Sequence, residues 1–128
     1  MTDAFSPDWW QRFQARVNQD PELAVIGNWF SVPFAITRGD ARVVLRVEKG
    51  RIAEIVHQPR FDVRTAFGLR GSVELWNKFL EPVPPALFHD IFAMIMRVPE
   101  LVLEGDTLVA MQNARALHRM MNIMREVR

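Results

Sequence analysis

GSVELWNKFLEPVPPALFHDIFAMIMRVPELVLEGD, residues Gly71–Asp106, is the stretch that decides the fold. Gly71-Ser72 reads as a turn followed by a helix N-cap, because a serine hydroxyl accepts a hydrogen bond from a free first-turn amide. Val73, Trp76, Phe79 and Leu80 then share one helical face. Pro82, Pro84 and Pro85 stop that helix and open a second, since proline lacks an amide proton and suits a first turn. The second helix, expected over Pro85–Val98, carries Leu87, Phe88, Ile91, Phe92, Met94, Ile95 and Met96, and Pro99 ends it. Leu101-Val102-Leu103-Glu104 reads as an apolar strand running into a Gly105-Asp106 corner. Two aromatic-rich helices beside a strand can wall an apolar cavity or close an ordinary core.

Upstream, Ser6-Pro7 reads as the N-cap and N1 of a first helix, with Asp8 near its positive dipole end. Trp9 or Trp10, Phe13 and Val17 form its inward stripe. Asn18–Pro21 breaks it, and Pro21–Ala24 makes one more short turn before Gly27. From Asn28 the apolar period becomes two. Phe30, Val32, Phe34 and Ile36 mark a half-buried strand, in which Pro33 argues for an edge or a bulge. Val43, Leu45 and Val47 mark a second strand, and Lys49-Gly50 turns it into a hairpin partner over Arg51–His57. Phe61, Val63, Thr65 and Phe67 form the expected fourth strand, and Gly68–Gly71 a plain connection. Short loops make this a mostly antiparallel meander.

Downstream, Asp106 is a good N-cap for a last helix over Thr107–Glu126. Ala110, Ala114, Leu117, Met121 and Met124 lie on one side of it, and Met111, Met120, Ile123 and Val127 widen the stripe. The order predicts an α+β layer pair in a single domain of 128 residues, with helices on one face of the sheet. A chain this long buries about two-thirds of its unfolded surface and needs no staple.

Composition removes several function classes. The 16 basic and 15 acidic residues nearly cancel, and no Lys/Arg run offers a phosphate-binding stripe, which argues against nucleic acid. There is no cysteine for a disulfide or thiolate ligand. No apolar segment approaches the roughly 20 residues of a membrane span, and Asp3 and Asp8 interrupt any secretory leader, so a cytoplasmic protein is expected. Nine Phe, four Trp and seven Met without Tyr supply large, adaptable apolar surface.

Asn18-Gln19-Asp20-Pro21-Glu22-Leu23, Phe61-Asp62-Val63 and Leu103-Glu104-Gly105-Asp106 followed by Ala110-Met111 together resemble the sterol carrier protein type 2 family. The resemblance runs from the first helix to the last. Two departures stand out: the stretch between Asp62 and Gly105 is longer than usual, mostly in Pro84–Pro99, and Val98-Pro99-Glu100 stands where a Gly-Lys pair is common. The resemblance implies a five-stranded sheet covered by helices, with an apolar tunnel between the layers. It also implies non-catalytic binding or transfer of a fatty acid, fatty acyl-CoA or sterol-like molecule, without a cofactor. Trp76, Phe79, Phe88, Ile91, Phe92, Ile95, Met111, Leu117, Met121 and Met124 are the expected lining. A homodimer or a partner enzyme is compatible with it.

Residue chemistry offers little beyond binding. His57, His89 and His118 lack metal-ligand spacing, so no metal site is expected. His89-Asp90 is the one tempting acid–base pair, which keeps open an enzyme or accessory subunit acting on a steroid-like or acyl substrate. Adjacent helical residues point about 100° apart, which disfavours a direct bond between the two. Gly68-Leu69-Arg70-Gly71 is too sparse for a phosphate loop, and no nucleophile elbow is present.

Overall fold

A computed structural model describes residues 5–60 and 63–127. Its elements are α1 (Pro7–Asn18), α2 (Pro21–Ile26), β1 (Pro33–Arg38), β2 (Ala41–Glu48), β3 (Arg51–His57), β4 (Phe67–Gly71), α3 (Val73–Phe79), α4 (Ile91–Arg97), β5 (Val102–Gly105), α5 (Thr107–Gln112) and α6 (Ala114–Ile123). A 3-10 turn over Met124–Glu126 follows α6. The sheet has the order β3-β2-β1-β4-β5. Three pairings are antiparallel, and β1 pairs with β4 in parallel. The architecture is the expected α+β pair of sheet and helices.

The expected meander is therefore corrected at its fourth strand. Residues 63–65 lie outside any strand, and Phe61 and Asp62 fall outside the described residues. β4 occupies Phe67–Gly71, the stretch read as a connection, and pairs with β1 from Phe34↔Phe67 to Arg38↔Gly71. Its glycines mark close packing rather than a turn. A Cβ on Gly71 would stand 2.9 Å from Leu75 Cδ2 and 3.2 Å from Trp76 Nε1. The missing side chain lets α3 lie against the strand end, where Trp76 Nε1 donates to Thr37 O at 3.0 Å. Pro33 sits on no edge. It opens the central strand β1, where a missing amide costs no ladder bond, and its carbonyl accepts from Ala66 N at 2.8 Å. The irregularity in the sheet lies instead between Arg46 and Val47.

Alternation places Phe34, Ile36, Val43, Leu45, Phe67 and Leu69 on one sheet face, all in the core with Trp9, Trp10 and Phe13 of α1. Phe34 stacks between Phe30 (6.0 Å) and Phe67 (5.1 Å). The Asn18–Leu23 corner ties three elements together. Asn18 brackets Ile52 of β3, donating to its carbonyl at 3.1 Å and accepting its amide at 2.8 Å. Asp20 caps α2 through Leu23 N at 2.9 Å. It also receives Arg119 of α6 in a fork, Nη2 to Oδ1 at 2.6 Å and Nε to Oδ2 at 3.2 Å. The Arg119 bond holds the Asp20 carboxyl below its ordinary pKa and raises that of Arg119.

Both long helices of the second half are shorter than their apolar pattern implies. The helix expected over Pro85–Val98 begins at Ile91, because Asp90 Oδ1 accepts Phe92 N at 2.8 Å as an N-cap. The prolines before it leave an irregular segment in which Leu87 has φ 76°. The last helix breaks at Asn113 (φ −112°, ψ 25°), whose side-chain amide donates to Val109 O at 2.9 Å. Asparagine side chains compete with the backbone ladder in this way.

Candidate functional site

The apolar seam between α3, α4 and α6 holds most of the sequence-predicted lining. Trp76, Phe79, Ile91, Leu117, Met121 and Met124 are buried in the core, and Phe88, Phe92 and Ile95 pack half-buried against it. Met111 lies elsewhere, 46% exposed on α5, since the break at Asn113 separates its face from the α6 stripe. Met94, Met120 and Ile123, apolar positions outside the expected lining, are buried in the same core. Met94 stands three residues after Ile91, so helical spacing from Ile91 identifies it. The seam is packed, with Trp76, Phe79, Ile91, Leu117 and Met121 fully buried. Two surface clefts of 650 and 710 Å³ lie away from it, one between Phe5, Asp40 and His57 and the other between Ala24, Ser31 and Lys49.

A polar chain crosses the rim of the seam. Arg125 donates to Phe79 O and Phe88 O, both at 2.6 Å, and its guanidinium lies 4.2 Å from the Phe79 ring centroid. It thereby holds the end of α3 and the segment before α4 onto the C-terminal turn. Burial lowers its pKa from the ordinary arginine value, and it remains a cation at any relevant pH. Arg125 Nη1 also donates to Asn122 Oδ1 at 2.8 Å. An arginine only donates, so this bond fixes the Asn122 amide and turns its Nδ2 toward His118 Nε2 at 3.1 Å. His118 Nε2 is then an acceptor, and the neutral ring carries its proton on Nδ1. Nδ1 faces Asp90 Oδ1 at 3.4 Å, an ion-pair distance without hydrogen-bond alignment. Asp90 thus finds its histidine on α6, while His89 beside it is exposed.

No three His, Asp or Glu side chains are grouped to hold a metal among the described residues. Among the same residues no helix is long and apolar enough to cross a membrane.

A crystal structure of sterol carrier protein 2 superposes with a TM-score of 0.79 over 98% of this chain and 100% of that chain, at 19% identity. The chain has the sterol carrier protein 2 fold. A conserved hypothetical protein from Thermus thermophilus, put forward as a sterol carrier protein, matches this fold with a TM-score of 0.77, 17% identity, and coverage of 99% and 91%. The UbiJ-SCP2 ubiquinone synthesis protein shares the sterol carrier fold more distantly, with a TM-score of 0.58, 9% identity, and coverage of 89% and 90%. No protein-family model matches the sequence, and no curated protein matches it.

Proposed function

We propose that this protein is a cytoplasmic, non-catalytic carrier of an elongated apolar molecule: a fatty acid, a fatty acyl-CoA or a sterol-like compound. The observation that carries the reading is the convergence of a methionine- and aromatic-rich seam, between α3, α4 and α6, with a fold shared end to end with a sterol carrier protein. Each methylene moved from water into such a seam contributes about 0.8 kcal/mol. The polar rim of Asp90, His118, Asn122 and Arg125 adds orientation. Because the seam is packed, uptake requires α4 and the proline-rich segment before it to move. Methionine walls repack with little penalty, which suits variable chains and rings.

Native mass spectrometry after gentle purification tests the reading. Co-purified lipid, or uptake of a fluorescent fatty acid, acyl-CoA or sterol, supports it. A clean ligand-free mass together with refusal of all three probes overturns it. A second reading, an accessory subunit that presents a hydrophobic substrate to an enzyme, is favoured by the fold shared with the ubiquinone synthesis protein. It predicts that lipid uptake persists while a synthesis enzyme co-purifies.

A further inference from the structure

Aromatic rings crowd beside the start of α1. The Phe5 ring lies 5.0 Å from Trp9, 4.9 Å from Trp10 and 5.8 Å from Trp76. The Arg38 guanidinium, from β1, covers it at 5.2 Å. The walls of this box are fixed without Phe5. Trp9 and Trp10 both rest on Phe13, at 5.5 and 5.6 Å. Trp76 Nε1 donates to Thr37 O at 3.0 Å, and Arg38 Nη2 donates to Asn77 Oδ1 at 2.9 Å. Phe5 itself is held against its backbone preference, since its φ of 68° lies in the left-handed region that a bulky side chain rarely adopts. A residue before an N-cap commonly packs on the fourth residue of its helix, here Trp10. That habit explains the Trp10 contact but neither the other indoles nor the guanidinium.

Donors around the ring are left without an acceptor. Trp10 is 0% exposed, and among the described residues its Nε1 has no hydrogen-bond partner; the same holds for the buried Nε of Arg38. Buried donors ordinarily have partners, so each is a place for an acceptor that Phe5 does not carry. Arg38 is also in no ion pair among the described residues. Asp40 and Arg42 line the 650 Å³ cleft that opens beside Phe5 and offset each other, and His57 lines the same cleft. A cation and unmet donors around a ring-sized space match a planar ring that carries an anion. A bare aliphatic chain would leave both donors as they are, and a sterol offers a neutral hydroxyl.

We infer that Phe5 is a displaceable plug, and that the box of Trp9, Trp10, Trp76 and Arg38 is a binding site for an aromatic carboxylate entering through the cleft. The ligand ring replaces the stacking of Phe5, and its carboxylate accepts from Arg38 Nε and Trp10 Nε1. The site shares Trp76 with the cargo seam and stands without the carrier reading, because its test uses no lipid. Benzoate and toluene carry the same ring with and without the acceptor. Tryptophan fluorescence follows their titration in a Trp29→Phe background, which removes the indole that is 87% exposed and leaves those of the box. Benzoate is expected to bind saturably to this parent, and about tenfold more tightly once Phe5→Ala removes the plug. In Phe5→Ala benzoate should bind about tenfold more tightly than toluene, and adding Arg38→Met should erase that preference while toluene binding is retained. Phe5→Leu, which keeps an apolar side chain but no ring, carries the same comparison if Phe5→Ala melts early. Benzoate should also raise the melting temperature of either plug variant. No saturable benzoate response in the parent, toluene binding as tightly as benzoate, or a preference unchanged by Arg38→Met would overturn the proposal.

Discussion

Replacing Arg125 with methionine should unlatch the segment that closes the proposed site. Beside its bond to Asn122 Oδ1 on the neighbouring turn, the side chain makes two charge-assisted bonds to the segment, at Phe79 O and Phe88 O, and stacks on the Phe79 ring. Charge-assisted hydrogen bonds contribute roughly 1.5–3 kcal/mol each and a partly exposed cation–π contact roughly 0.5–1 kcal/mol. Residues 85–87 and 89 are exposed, so the Phe88 carbonyl regains water when the latch opens, which places the loss at the low end. Arg125 is itself half-buried and regains hydration as well. The net expectation is about 2–3 kcal/mol, or roughly a 30- to 150-fold increase in the open population.

Hydrogen exchange separates this local effect from a general loss of stability. The amides of Phe88, bonded to Pro85 O at 3.0 Å, and Met94, bonded to Asp90 O at 3.0 Å, report on the segment. They should lose far more protection in Arg125→Met than the amides of the central β1–β2 pairing. Arg125→Lys keeps the charge without the planar fork and should fall between. In the lipid-loaded protein the same variants should release a fluorescent fatty acid faster. Equal loss of protection at Met94 and in the sheet would show that Arg125 supports the whole fold and latches nothing.

Asp20→Ala should destabilise by about 2–3 kcal/mol, since it removes an N-cap and an arginine fork together. Because the Asp20 pKa is lowered on folding, its contribution is complete above the unfolded value of about 3.9 and disappears as pH falls through the lower folded value. Urea melts of wild type and Asp20→Ala should therefore differ by a constant amount at neutral pH and converge in acid. Met121→Trp should cost about 1–3 kcal/mol by overpacking a fully buried position, and it should also weaken fatty-acid binding. Lost stability with unchanged affinity would remove Met121 from the wall. Dialysis against a chelator should leave the melting temperature unchanged, and a large drop would reveal a site at His57, His89 or His118.

The sequence was most legible where the deciding chemistry is local. Ser6, Ser72 and Asp106 each cap the helix that begins beside them, as their positions imply, and each bond spans three residues. The β2–β3 hairpin is local as well. The parallel β1–β4 pairing joins strands that sit either side of a hairpin in the chain, and no short pattern announces it. Gly68 and Gly71 read as punctuation because the close approach of Ala35 and Glu104 to Gly68, and of α3 to Gly71, is a tertiary fact. The Asn113 break hid inside an apolar stripe that continues on both sides of it. Periodicity placed Leu117, Met121 and Met124 on the buried side of the C-terminal helical stretch, where the structure has them in the core. Periodicity could not find the latch, whose bonds run 46 and 37 residues back along the chain.

The packed seam also sets a minimum size for the proposed cargo. The strands are locked by continuous pairing, whereas α4 is seven residues long and follows a proline-rich segment, so room opens most readily there. Lifting α4 exposes Ile91 and Met94, now fully buried, and the half-buried Phe92 and Ile95. At about 1.5–3 kcal/mol for each fully buried side chain and half that for the others, the cost is roughly 5–9 kcal/mol. A ligand recovers about 0.8 kcal/mol per buried methylene, so roughly six to eleven methylenes are needed to break even. Butyrate and hexanoate should therefore fail to compete with a fluorescent long-chain probe, and competition should rise steeply once the chain passes about ten carbons. Arg125→Met should shift that threshold toward shorter chains, because part of the opening cost is already removed. Strong competition by butyrate in the wild-type protein would mean that the ligand occupies space already open in the free protein, and the α4 uptake route would have to be abandoned.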